Sequence, residues 1–120
     1  MRPHEGLNVW KIAVDFVVSV YKVTERFPAH ERFGLTAQIR RAAVSVPANI
    51  AEGAARKSRK EYSHFLSIAQ GSTSEVETEL LISYRLGYLD KARFLELQAA
   101  LDSIGKMLNG LSRRLTEKMH

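Results

Sequence analysis

Residues 34–57 read GLTAQIRRAAVSVPANIAEGAARK, and this stretch decides the fold. Its apolar positions Leu35, Ile39, Ala42, Ala43, Val46 and Ile50 return every three or four residues, the period of an α-helix. A polar set keeps the same period: Gln38, Arg41, Ser45, Asn49 and Glu52 form a second stripe along the helix. Pro47 lacks the N–H that would bond the Ala43 carbonyl, which predicts a kink and a cost of roughly 3 kcal/mol unless neighbours compensate. Gly53 is expected to end the helix as its C-terminal cap. The polar stripe has two readings. A solvated face normally carries Lys and Glu. Gln, Ser and Asn each combine donor and acceptor, and the interleaved alanines let another backbone approach, so the stripe also fits a buried or interfacial polar seam.

Before this stretch, residues 8–26 form a helix that is apolar almost all round. Only Lys11, Asp15, Ser19 and Lys22 make a narrow polar stripe. Asn8 is the expected N-cap, and Pro28 closes the segment. A helix on the outside of a monomeric bundle needs one apolar face. Here about three-quarters of the circumference is apolar, which predicts that another copy of the chain covers the excess.

After it comes Ser58-Arg59-Lys60-Glu61, a capping box that opens a third helix. That helix runs to about Leu86, with Tyr62, Phe65, Leu66, Ala69, Val76, Leu80 and Ser83 facing inward. Gly71 in its middle costs about 1 kcal/mol relative to alanine, which predicts a close helix crossing there. Gly87 ends the helix and Asp90 caps a fourth. In the fourth helix Phe94, Leu97, Leu101, Ile104, Leu108, Leu111 and Leu115 step alternately by three and four, a coiled-coil-like seam. Four helices with short connections predict an all-α, antiparallel up-down-up-down four-helix bundle, one domain over residues 1–120.

Composition narrows the function. A chain of 120 residues with 45% hydrophobic content folds as one domain. There is no cysteine, hence no disulfide framework. The first residues lack a signal-peptide h-region, and no apolar run is long enough to span a membrane, so a soluble cytoplasmic protein is expected. Glu61-Tyr62-Ser63-His64 matches the Glu-x-x-His of di-iron bundles, but it occurs once and Glu61 already belongs to the capping box. His4, His30 and His120 lack ligand spacing. Ser72 and Ser74 stand near Glu75 without a neighbouring histidine. No catalytic residue, metal or cofactor is expected.

Helices 2 and 3 should run antiparallel around a turn near residue 56. That levels Arg41 with Glu75 to within a turn, Asn49 with His64, and Ser45 with Ile68. Arg41 and Glu75 are then either an exposed ion pair worth at most about 1 kcal/mol or a partly buried pair that sets helix or subunit register.

The run Gln38-Ile39-Arg40-Arg41-Ala42-Ala43, then Ser45, then Asn49-Ile50-Ala51-Glu52-Gly53, resembles the signature of a bacterial four-helix-bundle family. These are the intervening-sequence proteins, some of them encoded inside insertions in large-subunit rRNA genes and some carrying a ribosomal-protein label. The resemblance extends to Leu7, Val9 and Trp10, to Phe27-Pro28, to Ala69-Gln70-Gly71-Ser72 with Glu75, and to Leu86-Gly87-Tyr88. The family is similar to the accessory proteins of diversity-generating retroelements, basic homopentameric bundles that work with a reverse transcriptase and nucleic acid. The resemblance therefore implies a homo-oligomer, most simply a pentamer, while for the family at large a biochemical function is not established.

Charge gives the hint that residues alone supply. The predicted topology gathers both termini and the loop between helices 2 and 3 at one end. Arg2, Lys11, Arg56, Lys57, Arg59, Lys60, Arg113, Arg114 and Lys118 stand there against Glu5, Glu52, Glu61 and Glu117. That end carries the whole net charge of +5. Repeated around a ring, it would make a positive annulus suited to RNA or DNA backbones, with Arg56, Lys57, Arg59, Lys60, Arg113 and Arg114 as the contacts. The alternatives are a basic loop that only maintains solubility, or a protein-only scaffold.

Overall fold

The computed structural model describes residues 2–118. Among these are four α-helices, two short 3-10 turns and no strand: α1 Asn8–Thr24, α2 Leu35–Ala54, α3 Arg59–Arg85 and α4 Lys91–Lys118. Each helix packs on the next, α4 closes back onto α1, and α2 against α3 is the most extensive contact. The pairing is antiparallel throughout. Thr24 meets Arg40, Ser45 meets Ser72, Gln70 meets Asn109 and Gln98 meets Glu77. The result is the expected up-down-up-down bundle, 48 × 21 × 21 Å, its length set by the 28-residue α4. No helix among the described residues is long and apolar enough to cross a membrane.

The core follows the helical periods. Phe16 and Val20 of α1, Ile39, Val46 and Ile50 of α2, and Leu66, Val76 and Leu80 of α3 are buried around Leu97, Leu101, Ile104 and Leu108 of α4. Phe94, Leu111 and Leu115 continue the α4 seam half-buried at its ends. On α1, Val9, Ala13, Phe16, Val20 and Thr24 face inward. The apolar excess lies outside, where Val18 and Tyr21 are exposed.

Helix ends bear out some expectations and correct others. Ser58 Oγ accepts the Glu61 N–H at 3.1 Å, and Asp90 Oδ1 accepts the Arg93 N–H at 2.7 Å. Gly87 has a φ of 82°. Its N–H and that of Tyr88 donate to the carbonyls of Tyr84 and Ser83, the paired bonds of a Schellman ending. Asn8, however, is the first helical residue rather than the cap. Leu7 holds the extended N-cap position, with no side-chain bond. α1 stops at Thr24 rather than near residue 26.

Neither mid-chain glycine has the role expected of it. Gly53 does not cap α2, which continues through it to Ala54. It is buried instead, and a Cβ there would lie 2.9 Å from Phe65 Cβ and 3.1 Å from Tyr62 Cδ1. Gly71 marks no crossing, because a Cβ there would meet nothing within 4 Å. α2 also runs unbroken through the buried Pro47. The register with α3 is also offset by one turn from the expected one: Ser45 bonds Ser72, not the level of Ile68.

A polar contact fastens the end of α1 to α2. Arg40 Nε donates to Thr24 Oγ1 at 2.8 Å, and its guanidinium lies 4.5 Å from the Tyr21 ring centroid. The Thr24 hydroxyl in turn donates to the Val20 carbonyl at 2.8 Å. Thr24→Val keeps the shape and removes the acceptor. Urea unfolding should show a loss of about 1–2 kcal/mol, and an unchanged midpoint would mean the contact contributes nothing to stability.

The opposite end from the basic loop is tied by residues that the family resemblance quotes. Phe27 packs on Tyr88 with ring centroids 5.5 Å apart. The Tyr88 hydroxyl donates to Glu31 Oε2 at 3.0 Å, while Glu31 Oε1 accepts the Leu35 N–H at the start of α2. That backbone bond, then the tyrosine, hold the Glu31 carboxyl below its ordinary range.

Candidate nucleic-acid interface

The close approach at Gly53 brings α2 and α3 together just before the turn that carries the basic segment. Arg56, Lys57, Arg59 and Lys60 are all exposed. They do not all present themselves alike. Arg56 Nη2 bonds Glu52 Oε1 at 2.7 Å, and its guanidinium lies 4.9 Å from the Phe65 ring centroid. Arg56 is thus partly neutralised and oriented by packing, whereas Lys57 and Lys60 form no ion pair among the described residues.

The last turns of α4 join this end. Arg113 and Arg114 are exposed. Burial raises the Tyr62 hydroxyl pKa and the Arg114 charge opposes that rise, which puts Arg114 within electrostatic reach of the first turn of α3. Arg113 lines a shallow groove of about 780 Å³ between α3 and α4, together with Gln70, Lys106, Asn109, Ser112, Thr116 and one carboxylate, Glu117. Its floor is pinned by the bond from Gln70 Nε2 to Asn109 Oδ1 at 2.6 Å. Cations beside amides and hydroxyls are the side chains that contact phosphate and sugar. Lys106 and this groove escaped the sequence reading, although Lys106 precedes Arg113 by seven residues, two helical turns on one face. Of the basic residues assigned to this end, the Lys118 side chain lies outside what is described, as does His120 at the terminus.

The polar seam divides. Gln38, Arg41, Glu52 and Glu75 are exposed, whereas Ser45 and Asn49 are half-buried. Asn49 Nδ2 donates to the Ser45 carbonyl at 2.8 Å and to Ser45 Oγ at 2.9 Å, and the Ser72 hydroxyl donates to Ser45 Oγ at 2.8 Å. No ion pair joins Arg41 to Glu75. The nearby charge that both act on is Glu79, a buried carboxyl that the sequence reading missed. The signal was present: Glu79 stands three residues after Val76 and four before Ser83, on the inward face of α3.

Glu61 and His64 are both exposed, and the His64 ring packs edge-on against Phe65. No group of three or more His, Asp or Glu among the described residues is placed to hold a metal ion.

A family model described as 23S rRNA-intervening sequence protein matches residues 5–110. A solved structure from Bacteroides thetaiotaomicron, a protein of unknown function from the S23 ribosomal protein family, is similar at 25% identity. The match covers 87% of this chain and 97% of that one, with a TM-score of 0.79. No curated protein matches the chain.

Proposed function

The chain belongs to the 23S rRNA-intervening sequence protein family, and we propose that it is a non-catalytic homo-oligomer that binds the phosphate backbone of RNA or DNA through its basic end. The observation that carries this reading is the exposed run Arg56, Lys57, Arg59 and Lys60, with Arg113 and Arg114 at the same end of the bundle. Such binding is expected to be independent of base sequence, because the sequence carries no recognised base-reading motif. Its test is a mobility shift of random-sequence duplex DNA and of RNA at low salt. A shift that disappears as salt rises supports the proposal, and no shift at low salt overturns it.

The oligomer rests on the apolar surface left bare by one copy. Val18 and Tyr21 of α1 and Val44 of α2 are each more than two-fifths exposed. A copy of the chain covering them removes that area from water. Light scattering at micromolar concentration should give a multiple of the 13.5 kDa chain, five copies by family resemblance. A monomeric mass would contradict assembly, and another multiple would contradict the pentamer alone. The same apolar surface supports a second reading, a scaffold that docks proteins only; apolar docking is insensitive to salt, whereas phosphate binding is not.

A further inference from the structure

The α2–α3 seam holds a carboxyl group that the proposed function does not use. Glu79 is 7% exposed, on the inward face of α3 beside Leu80 and Val76. No N–H or O–H among the described residues reaches its Oε1. The side chain that hydrogen-bonds it is Glu75, another carboxyl, one turn earlier on the same helix. Two carboxyl groups can bond each other only through a proton that one of them holds, since an ionised carboxylate is an acceptor alone. An unpaired carboxylate at this depth would also carry a heavy desolvation cost.

We propose that the buried Glu79 holds a proton in the α2–α3 seam beside the Glu75 carboxyl one turn away, and that its release to solvent as the pH rises loosens this face of the bundle. One proton passes between the Glu79 carboxyl and water, and no bond to carbon changes. The charged groups acting on Glu79 are Glu75 on its own helix and Arg41 on α2; none from α1 or α4 is among them. Burial raises the Glu79 carboxyl most, the Glu75 charge and hydrogen bond raise it further, and Arg41 opposes them, leaving it at about 7 rather than 4.5. Below 4.5 the folded and unfolded chains both keep the proton. As pH rises, the unfolded chain loses it first, so stability falls until the folded chain also ionises near 7 and stays level above that.

The experiment is urea unfolding of the full chain at fixed concentration from pH 4 to 8.5. Over that window the equilibrium constant for unfolding should rise by about two powers of ten through this group. Glu79→Gln should remove most of that rise. Glu75→Gln supplies an N–H donor to an ionised Glu79 and removes a like charge, so it should move the falling limb to lower pH. Arg41→Gln removes the opposing cation and should move it to higher pH. A purely structural role would change stability at every pH and leave the limb in place. Parallel profiles for the wild type and Glu79→Gln would overturn the proposal. If Glu79→Gln does not fold, the other two variants decide: opposite displacements of the limb support the proton on Glu79, and no displacement overturns it.

Discussion

Gly53→Val is expected to cost the bundle about 3 kcal/mol, a large share of the roughly 5–15 kcal/mol that holds a small domain folded. The argument is geometric. The first side-chain carbon at this position would sit 2.9 Å from Phe65 Cβ and 3.2 Å from the Tyr62 carbonyl oxygen. Both obstacles belong to, or lie next to, the α3 backbone, so no rotation of a flexible side chain relieves them. The helices must separate, and their separation uncovers Ile50 and Leu66, both fully buried. Valine adds two methyl groups to that clash. Gly71→Ala is the matched control, because alanine there meets open space. It should stabilise the bundle by up to about 1 kcal/mol through helix propensity. Urea midpoints for the two variants should move in opposite directions. A Gly53→Val midpoint within error of the wild type would mean the α2–α3 crossing is not held at this contact.

The second large effect concerns binding. Changing Arg56, Lys57, Arg59 and Lys60 to Gln or Ser should weaken nucleic-acid binding while the bundle stays folded. Ser58 and Glu61 are left unchanged, so the cap of α3, with the Glu61 N–H on Ser58 Oγ, is preserved. Each phosphate contact contributes about −0.9 to the slope of log affinity against log salt on duplex DNA. If two of the four reach phosphate, affinity at about 0.1 M salt falls roughly 50- to 100-fold and the slope loses about 2. A ring that presents several copies of the segment amplifies the loss, because avidity multiplies weak contacts. Arg56 should contribute less than Lys57 and Lys60, since Glu52 already holds it. Arg32 and Arg93 are the controls. Arg32 lies against the Phe33 ring and Arg93 pairs with Glu96, both away from the basic end. If changing them weakens binding equally, the basic end has no special role.

The helices were legible because the apolar spacing of each one is local information. The α4 seam needed nothing beyond its own residues, and the Asp90 cap and the Gly87 ending are equally local. The errors lie where two helices meet. Gly53 and Gly71 look alike within their own helices; what separates them is that Phe65 and Tyr62 arrive beside one and nothing arrives beside the other. The one-turn offset that sets Ser45 against Ser72 has the same origin, since register is decided by the side chains that two helices bring together and not by either helix alone. Glu79 was readable from the period of α3, yet a carboxyl on an inward face runs against the expectation that inward means apolar. Of the candidate interface, the contiguous cations 56–60 were plain in the sequence, and topology alone brought Arg113 and Arg114 to them. The groove lined by Lys106 was not legible, because it is made by two helices together.

The account turns on whether the basic end binds phosphate. The direct measurement is the affinity of the wild-type protein for a fluorescent random-sequence duplex, followed by anisotropy across a salt series from about 50 to 300 mM. The expected result is a straight line of log affinity against log salt with a slope of about −2 or steeper. Binding that does not change with salt, or no binding at the lowest salt, would contradict it and leave the protein-only scaffold as the reading to pursue.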